Sequence, residues 1–312
     1  MKNLIIQLRT KSAKFIFKVL YMIKPVYAAD FMYYHAFHKH LDLGNPQDLI
    51  EKIYWLLYNT DTTMWTLCAD KYRMREYVER CGFKDHLPKL YGHWGNPEEI
   101  DFDILPNEFV LKANNGCGTV KIVRDKLSLD KAATIKMLKT WLKPFGYIAG
   151  QTHYMHIQPC IIAEELLHQD GELNSISSKS LVDYKVWCFH GKPECILVIH
   201  DREGRGYLMD MYDTKWERIP NSLKHNAHYG ANDMKINKPV CLEQILQMAN
   251  KLAEPFIELR VDFYVIADKP VVGELTFTSG YGNYTDEFYK YLGSKIDLSK
   301  VKRIDEENPS NN

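Results

Sequence analysis

One stretch constrains this chain more than any other: RVDFYVIADKPVVGELTF, residues 260–277, which alternates apolar with polar positions yet carries acids on its polar side. Arg260, Asp262 and Tyr264 fall on one face of its first half, Val261, Phe263 and Val265 on the other, the two-residue period of a half-buried strand. After the turn signal Asp268-Lys269-Pro270, Glu274, Thr276 and Thr278 share a face opposed by Leu275 and Phe277, so the stretch reads as a hairpin. A loop with an odd number of residues brings Asp262 and Glu274 onto one face of neighbouring strands; a two-residue loop separates them. Carboxylates held that close repel unless a cation or a shared proton lies between them. Hard oxygen donors beside Arg260 suit Mg²⁺ carrying a phosphate. An edge hairpin with a solvated polar face satisfies the same pattern.

Other segments mix helix and strand. Residues 42–60 and 68–82 read as helices, the second ending at Gly82, and a Pro- and Gly-containing link covers 86–99. Strands 108–114 and 120–125 flank the turn NNGCGT, and a helix over 128–145 follows with Ser128 as its cap candidate, as turn and capping chemistry suggest. Apolar strands recur at 160–167, 181–190 and 194–200, and 241–256 is an amphipathic helix. Interleaved helices and hairpins predict an α+β fold with antiparallel sheets, not a doubly wound parallel one. The expected units are a helix over 1–30, an N-terminal subdomain over 31–105, a lid over 106–190, a C-terminal subdomain over 191–300 and a tail over 301–312.

Forty basic and forty acidic residues cancel, which excludes a generic nucleic-acid binder. Seven cysteines without a CxxC pair point to reduced thiols in the cytoplasm, not to disulfides or a structural zinc. The chain's start is different. Six basic residues and no acid occur between Met1 and Ala29, with Gln7, Lys11, Lys14 and Lys18 on one helical face and Leu4, Leu8, Phe15, Val19 and Met22 on the other side. Such a helix either lies on an anionic membrane surface or packs on its own domain. Its apolar run, Val19 to Ile23, is too short for a signal peptide.

In FVLKANNGCGTVKIV, Lys112 precedes a Gly turn that can lay backbone N–H groups and an ammonium over a polyphosphate. It is a hairpin lid, without the P-loop spacing. Asp101-Phe102-Asp103 is a D-x-D triplet of the kind that holds a sugar diphosphate through a metal, although lone triplets also arise as surface acids. His35, His38 and His40, and His153 with His156, lack further ligands at zinc spacing. Cys117 has no indicated base to activate it.

Taken in order, Asp70-Lys71, Lys112 with Gly116 and Gly118, Ala163-Glu164-Glu165-Leu166, Asp183 with Lys185, and Arg260, Asp262, Glu274 and Thr276 resemble the succession of the ATP-grasp superfamily. The resemblance implies a nucleotide held between two antiparallel sheets, with Lys71, Lys112 and Lys185 among the groups around ATP. It implies adenine on the IIAEELL strand end, ribose on Glu164, Glu165 or Asp183, and Mg²⁺ on Asp262 and Glu274 beside Arg260. Thr276 stands where the wider superfamily usually has Asn, which puts a second metal position in doubt. LDLGNPQDLIEKIYWL, CADKYRMREYV, LPNEFVLKANNGCG, DYKVWCFHGKP, RVDFYV and GELTFTSG are similar to the narrower TupA-like branch, in which that Thr is usual. The branch implies an ATP-dependent carboxylate-amine ligase acting through an acyl phosphate on a bacterial surface polysaccharide, such as an amino acid joined to a uronic acid. Arg202 and Arg205 are then candidates to hold the acceptor carboxylate by bidentate contacts, with solvated loop charges as the other reading of the same pair. Members are often labelled glycosyltransferases, so a nucleotide-sugar transferase is the alternative; a catalytically dead scaffold is the third reading.

Overall fold

The computed structural model describes residues 11–304 except 170, 172, 174–176, 178–179, 204–205, 225–228 and 232–235. Arg205, residues 1–10 and the segment ENPSNN therefore lie outside the described residues.

Two sheets organise the chain, as the alternation of helices and hairpins predicts. The smaller has spatial order β1-β4-β2-β3, with β1 at Leu90–Trp94, β2 at Phe109–Ala113, β3 at Val120–Val123 and β4 at Ile161–Glu164. The larger has order β10-β9-β5-β6-β7-β8, with β5 at Asp183–Phe189, β6 at Lys192–Glu203, β7 at Gly206–Asp213, β8 at Tyr229–Ala231, β9 at Glu258–Ile266 and β10 at Lys269–Thr276. All pairings are antiparallel except β7 with β8. Strand pairing crosses the expected units: β1, read as part of a link, joins the lid sheet through β4, and β5 joins the larger sheet through β9.

Nine helices, α1 to α9 in order, span Lys11–Ile23, Pro25–Phe37, Leu49–Asn59, Thr63–Ala69, Met74–Arg80, Lys131–Lys139, Thr152–Met155, Leu242–Ala253 and Asp286–Ser294 among the described residues. The helix expected from residue 42 starts later because Asp48 and Glu51 form a reciprocal capping box, which satisfies two otherwise unpaired backbone donors. The helix expected over 128–145 is confined to α6, capped by Asp130 instead of Ser128. A small core of Phe109, Leu111, Leu138, Ile161 and Ala163 lies beneath the lid sheet. Val261, Phe263, Leu275 and Phe277 face the larger core, the side their period assigns them.

Two departures from the expected elements shape the site. The helix expected over 68–82 breaks between α4 and α5, where Asp70 Oδ1 accepts from the backbone N–H groups of Tyr72 and Arg73 at 2.9 and 3.2 Å. Such local side-chain bonds compete with helix continuation. The second departure is at the hairpin, whose turn is the two-residue Ala267–Asp268, with φ of 48° and 58°, one residue earlier than the Asp-Lys-Pro signal. Uninterrupted, that loop would set Glu274 opposite Val261 on the apolar face. A bulge at Gly273 resets the ladder so that Glu274 pairs with Asp262. A Cβ on Gly273 would lie 2.8 Å from the Tyr264 ring, so only glycine fits there without displacing Tyr264.

Candidate active site

The break at Asp70 delivers Lys71 to the gap between the sheets. Its backbone N–H leaves the helix to donate to Asn114 O at 2.9 Å. Its ammonium donates to Gly116 O and to Glu274 Oε1, each at 2.7 Å, linking the lid turn to the acidic hairpin. Asn114 is fixed through Gln158 O and Cys160 N–H at 3.0 and 2.7 Å, and Asn115 donates to Lys143 O at 2.8 Å. Gly116 and Gly118 take φ of 77° and 75°, the left-handed region open to glycine. Lys112 reaches Glu164 Oε2 at 2.7 Å, while Arg75 holds Oε1 at 3.0 Å.

Opposite the lid, the larger sheet presents a second group of charges. Arg260 donates to both oxygens of Asp262 at 2.7 and 2.8 Å and to Thr276 Oγ1 at 3.2 Å, the first two a forked pairing suited to guanidinium. Lys185 contacts Asp262 as well, and Asp183 Oδ2 at 2.7 Å; Arg202 reaches that same oxygen at 2.9 Å. Burial pushes the Asp262 carboxyl up, but Arg260 and Lys185 outweigh it and hold it below the usual carboxylate range. Asp183 Oδ1 is buried with no hydrogen-bond partner among the described residues.

Between these groups lies a cavity of about 850 Å³, with Lys71, Lys112, Arg260, Asp262 and Glu274 in its walls. Glu165, Asp183, Lys185, Arg202, Gly116 and Gly118 also face it; Glu164 and Thr276 do not line it. Glu164 instead serves as the counter-ion of Lys112, and Thr276 as an acceptor for Arg260. Asp101 and Asp103 are outside the cavity, Asp103 paired with Lys131 at 2.7 Å on an exposed surface. Cys117 stands in the lid turn as an exposed, small member of the wall. Arg75, Asn114, Asn115 and the Gly273 bulge were not foreseen. Arg75 sits four residues beyond Lys71, a spacing that marks it only once the break at Asp70 is known.

Two carboxylates paired across neighbouring strands are hard donors of the type Mg²⁺ accepts, the remaining positions being left to phosphate oxygens and water. Among the described residues no group of three or more His, Cys, Asp or Glu is gathered for a metal. Asp262 is 4% exposed at its side chain and engaged by Arg260 and Lys185; Glu274 is 24% exposed and shared with Lys71. Both carboxylates already have cationic neighbours.

The family described as TupA-like ATPgrasp matches residues 51–297. The chain belongs to that family. The TupA-like ATP-grasp assignment places it among ATP-dependent ligases. Solved structures similar to it include D-alanine–D-alanine ligase from Bacillus anthracis complexed with ATP, at 16% identity and TM-score 0.44, covering 82% of this chain and 74% of that one. L-amino acid ligase from Bacillus licheniformis is similar at 14% identity and TM-score 0.42, over 70% of this chain and 44% of that one. The ATP-grasp ligase PsnB complexed with minimal precursor, Mg and ADP is similar at 14% identity and TM-score 0.38, over 76% and 61%. No curated protein matches the chain.

Proposed function

We propose that this TupA-like ATP-grasp enzyme activates a carboxylate with Mg-ATP and joins it to an amine, with the carboxylate on a glycan or sugar acid and the amine that of an amino acid. Lys71 carries the reading, because one ammonium touches both the glycine turn and the acidic hairpin and so stands where a terminal phosphate would meet both. In the first step a carboxylate oxygen attacks the terminal phosphorus, ADP leaves and an acyl phosphate forms. In the second, the amine attacks the acyl carbon, phosphate leaves, and the amide nitrogen loses a proton. Lys71, Lys112 and Arg260 offset the charge on the transferring group, and the Gly116–Gly118 turn keeps water from the acyl phosphate. Held by Asp262 and Glu274, Mg²⁺ would screen the phosphate oxygens. The unpaired Asp183 oxygen is suited to a ribose hydroxyl, and half-exposed Arg202 beside it to an acceptor carboxylate.

The exposed Asp101 and Asp103 favour this reading over a nucleotide-sugar transferase. We place the reaction in the cytoplasm, where ATP is supplied, with a bacterial surface polysaccharide such as capsule or O-antigen as the destination of the product. That destination rests on the resemblance of the motifs to the branch. The test is a thermal-shift comparison of Mg-ADP with Mn-UDP-sugars, followed by ADP release from Mg-ATP over panels of uronic acids and amines. A ligand at about 100 times its Kd raises stability by roughly 2.7 kcal/mol. Stabilisation by UDP-sugars alone would overturn the proposal.

A further inference from the structure

Helix α1 turns its more apolar side outward. Phe17 on the inner side is 2% exposed, its ring edge-on to Phe31 with centroids 5.2 Å apart, and Leu20 and Tyr21 are partly covered. On the outer side Phe15, Ile16, Val19, Met22 and Ile23 are exposed, Phe15 by 68% and Met22 by 74%. At 3.6 residues per turn these five positions share an arc of about 120°. Lys18 borders that arc and is exposed, as is Lys24 just beyond the helix. The surrounding sequence sharpens the asymmetry, since residues 1–29 hold six basic residues and no acid in a chain of zero formal charge.

The dimensions exclude a spanning role for this element. Thirteen residues extend only about 20 Å, short of the roughly 30 Å hydrocarbon core, and among the described residues no helix is long and apolar enough to cross a membrane. An apolar row flanked by lysines instead fits the boundary between acyl chains and anionic headgroups, where the row is buried and the ammonium groups meet phosphates. We propose that the outer face of α1 docks the enzyme on an anionic lipid bilayer. The expectation that Phe15, Val19 and Met22 either pack inside or meet a membrane is thereby divided: Phe17 does the packing, and those three are left for lipid.

The N-terminal helices approach the site through the segment that follows Phe145. Gly150 lies so close to the N-terminal helices that an added Cβ would be 2.4 Å from Pro25 O and 2.6 Å from Tyr58 Oη. Five residues earlier, the Phe145 ring leaves no room for a Cβ on Gly116, which would lie 2.6 Å away. A short segment, packed at both ends, thus connects the N-terminal helices with the glycine turn. The docking stands independently of the ligase reading, since vesicle binding is scored without turnover.

The experiment is co-sedimentation of the full chain with extruded vesicles of phosphatidylcholine alone and of phosphatidylcholine mixed with phosphatidylglycerol. Binding at least tenfold stronger to the mixed vesicles is expected. Lys18→Gln should weaken it about fivefold, and Phe15→Ser with Met22→Ser should abolish it while circular dichroism stays unchanged. No binding, or equal binding to both vesicle types, overturns the proposal. So does light scattering that shows a wild-type dimer and a monomeric double-serine variant, which would assign the face to a second copy of the chain.

Discussion

Gly116→Ala isolates the physical demand made by the lid turn. Two separate costs are expected. Gly116 has φ of 77°, where alanine is disfavoured by about 1–2 kcal/mol. The new Cβ would also stand 2.6 Å from the Phe145 ring, and overpacking of that kind costs about 1–3 kcal/mol. The total is a loss of about 2–5 kcal/mol, read by urea unfolding. Phe145→Ala removes the second cost and leaves the first, so the pair forms a double-mutant cycle with a coupling of about 1–3 kcal/mol. In the double variant Gly116→Ala should cost only the backbone part. A parallel titration with Mg-ADP should show weaker binding in Gly116→Ala and partial recovery in the double variant. A cycle additive within about 0.5 kcal/mol would refute the steric argument, because the ring would then not be what excludes a side chain at Gly116.

Three further outcomes are expected. His153 is fully buried and held down to about 3 by burial, then by His156. Its neutral form contributes stability that is complete above about pH 6.5 and lost as pH falls toward 3, because the unfolded chain takes up the proton. Wild type should lose about 2 kcal/mol relative to His153→Leu between pH 7 and pH 5; a pH-independent difference would refute this. The comparison with the variant matters because Glu258, raised well above its ordinary value by burial, acts with opposite sign, favouring the fold below about pH 4.5 and losing that contribution as pH rises. Glu164→Gln leaves Arg75 and Lys112 without their shared carboxylate and should lower stability by about 3 kcal/mol, and a loss under about 1 kcal/mol in urea unfolding would show that water replaces it. Glu274→Gln should keep the fold by circular dichroism and lose ADP release, whereas unchanged turnover would remove Glu274 from the mechanism.

The large sheet and the lid hairpin were legible because period-2 patterning and a glycine turn are local signals. Lys112 and the hairpin acids could be named in advance for the same reason, whereas Lys71 is named only through the resemblance to the ATP-grasp succession. What the local pattern could not reveal was pairing. Ala267–Asp268 makes a two-residue loop, and that loop alone predicts separated acids; they are restored by a bulge at Gly273, where the Tyr264 ring leaves no room for a Cβ. Likewise the helix through residue 70 looked continuous, since the preference of a single Asp for turns and caps is weak beside its helix-forming neighbours until its carboxylate finds two backbone donors. Glu164 could be seen as an acid near a strand end, but its commitment to Arg75 and Lys112 is a tertiary fact.

Counted as formal charges in the cavity wall, Lys71, Lys112, Arg124, Lys185, Arg202 and Arg260 stand against Glu165, Asp183, Asp262 and Glu274, six against four, and all but Arg124 and Glu165 are held in ion pairs there or with Glu164 behind the wall. The cavity is thus a small salt crystal with an excess of two positive charges. A polyanion entering it must take cations away from carboxylates, and each carboxylate so released becomes a seat for a new cation. A divalent cation arriving first finds those seats filled by ammonium and guanidinium, and a bare polyanion strands acids beside its own charge. The arrangement favours taking up both together, as one ion pair exchanged for another.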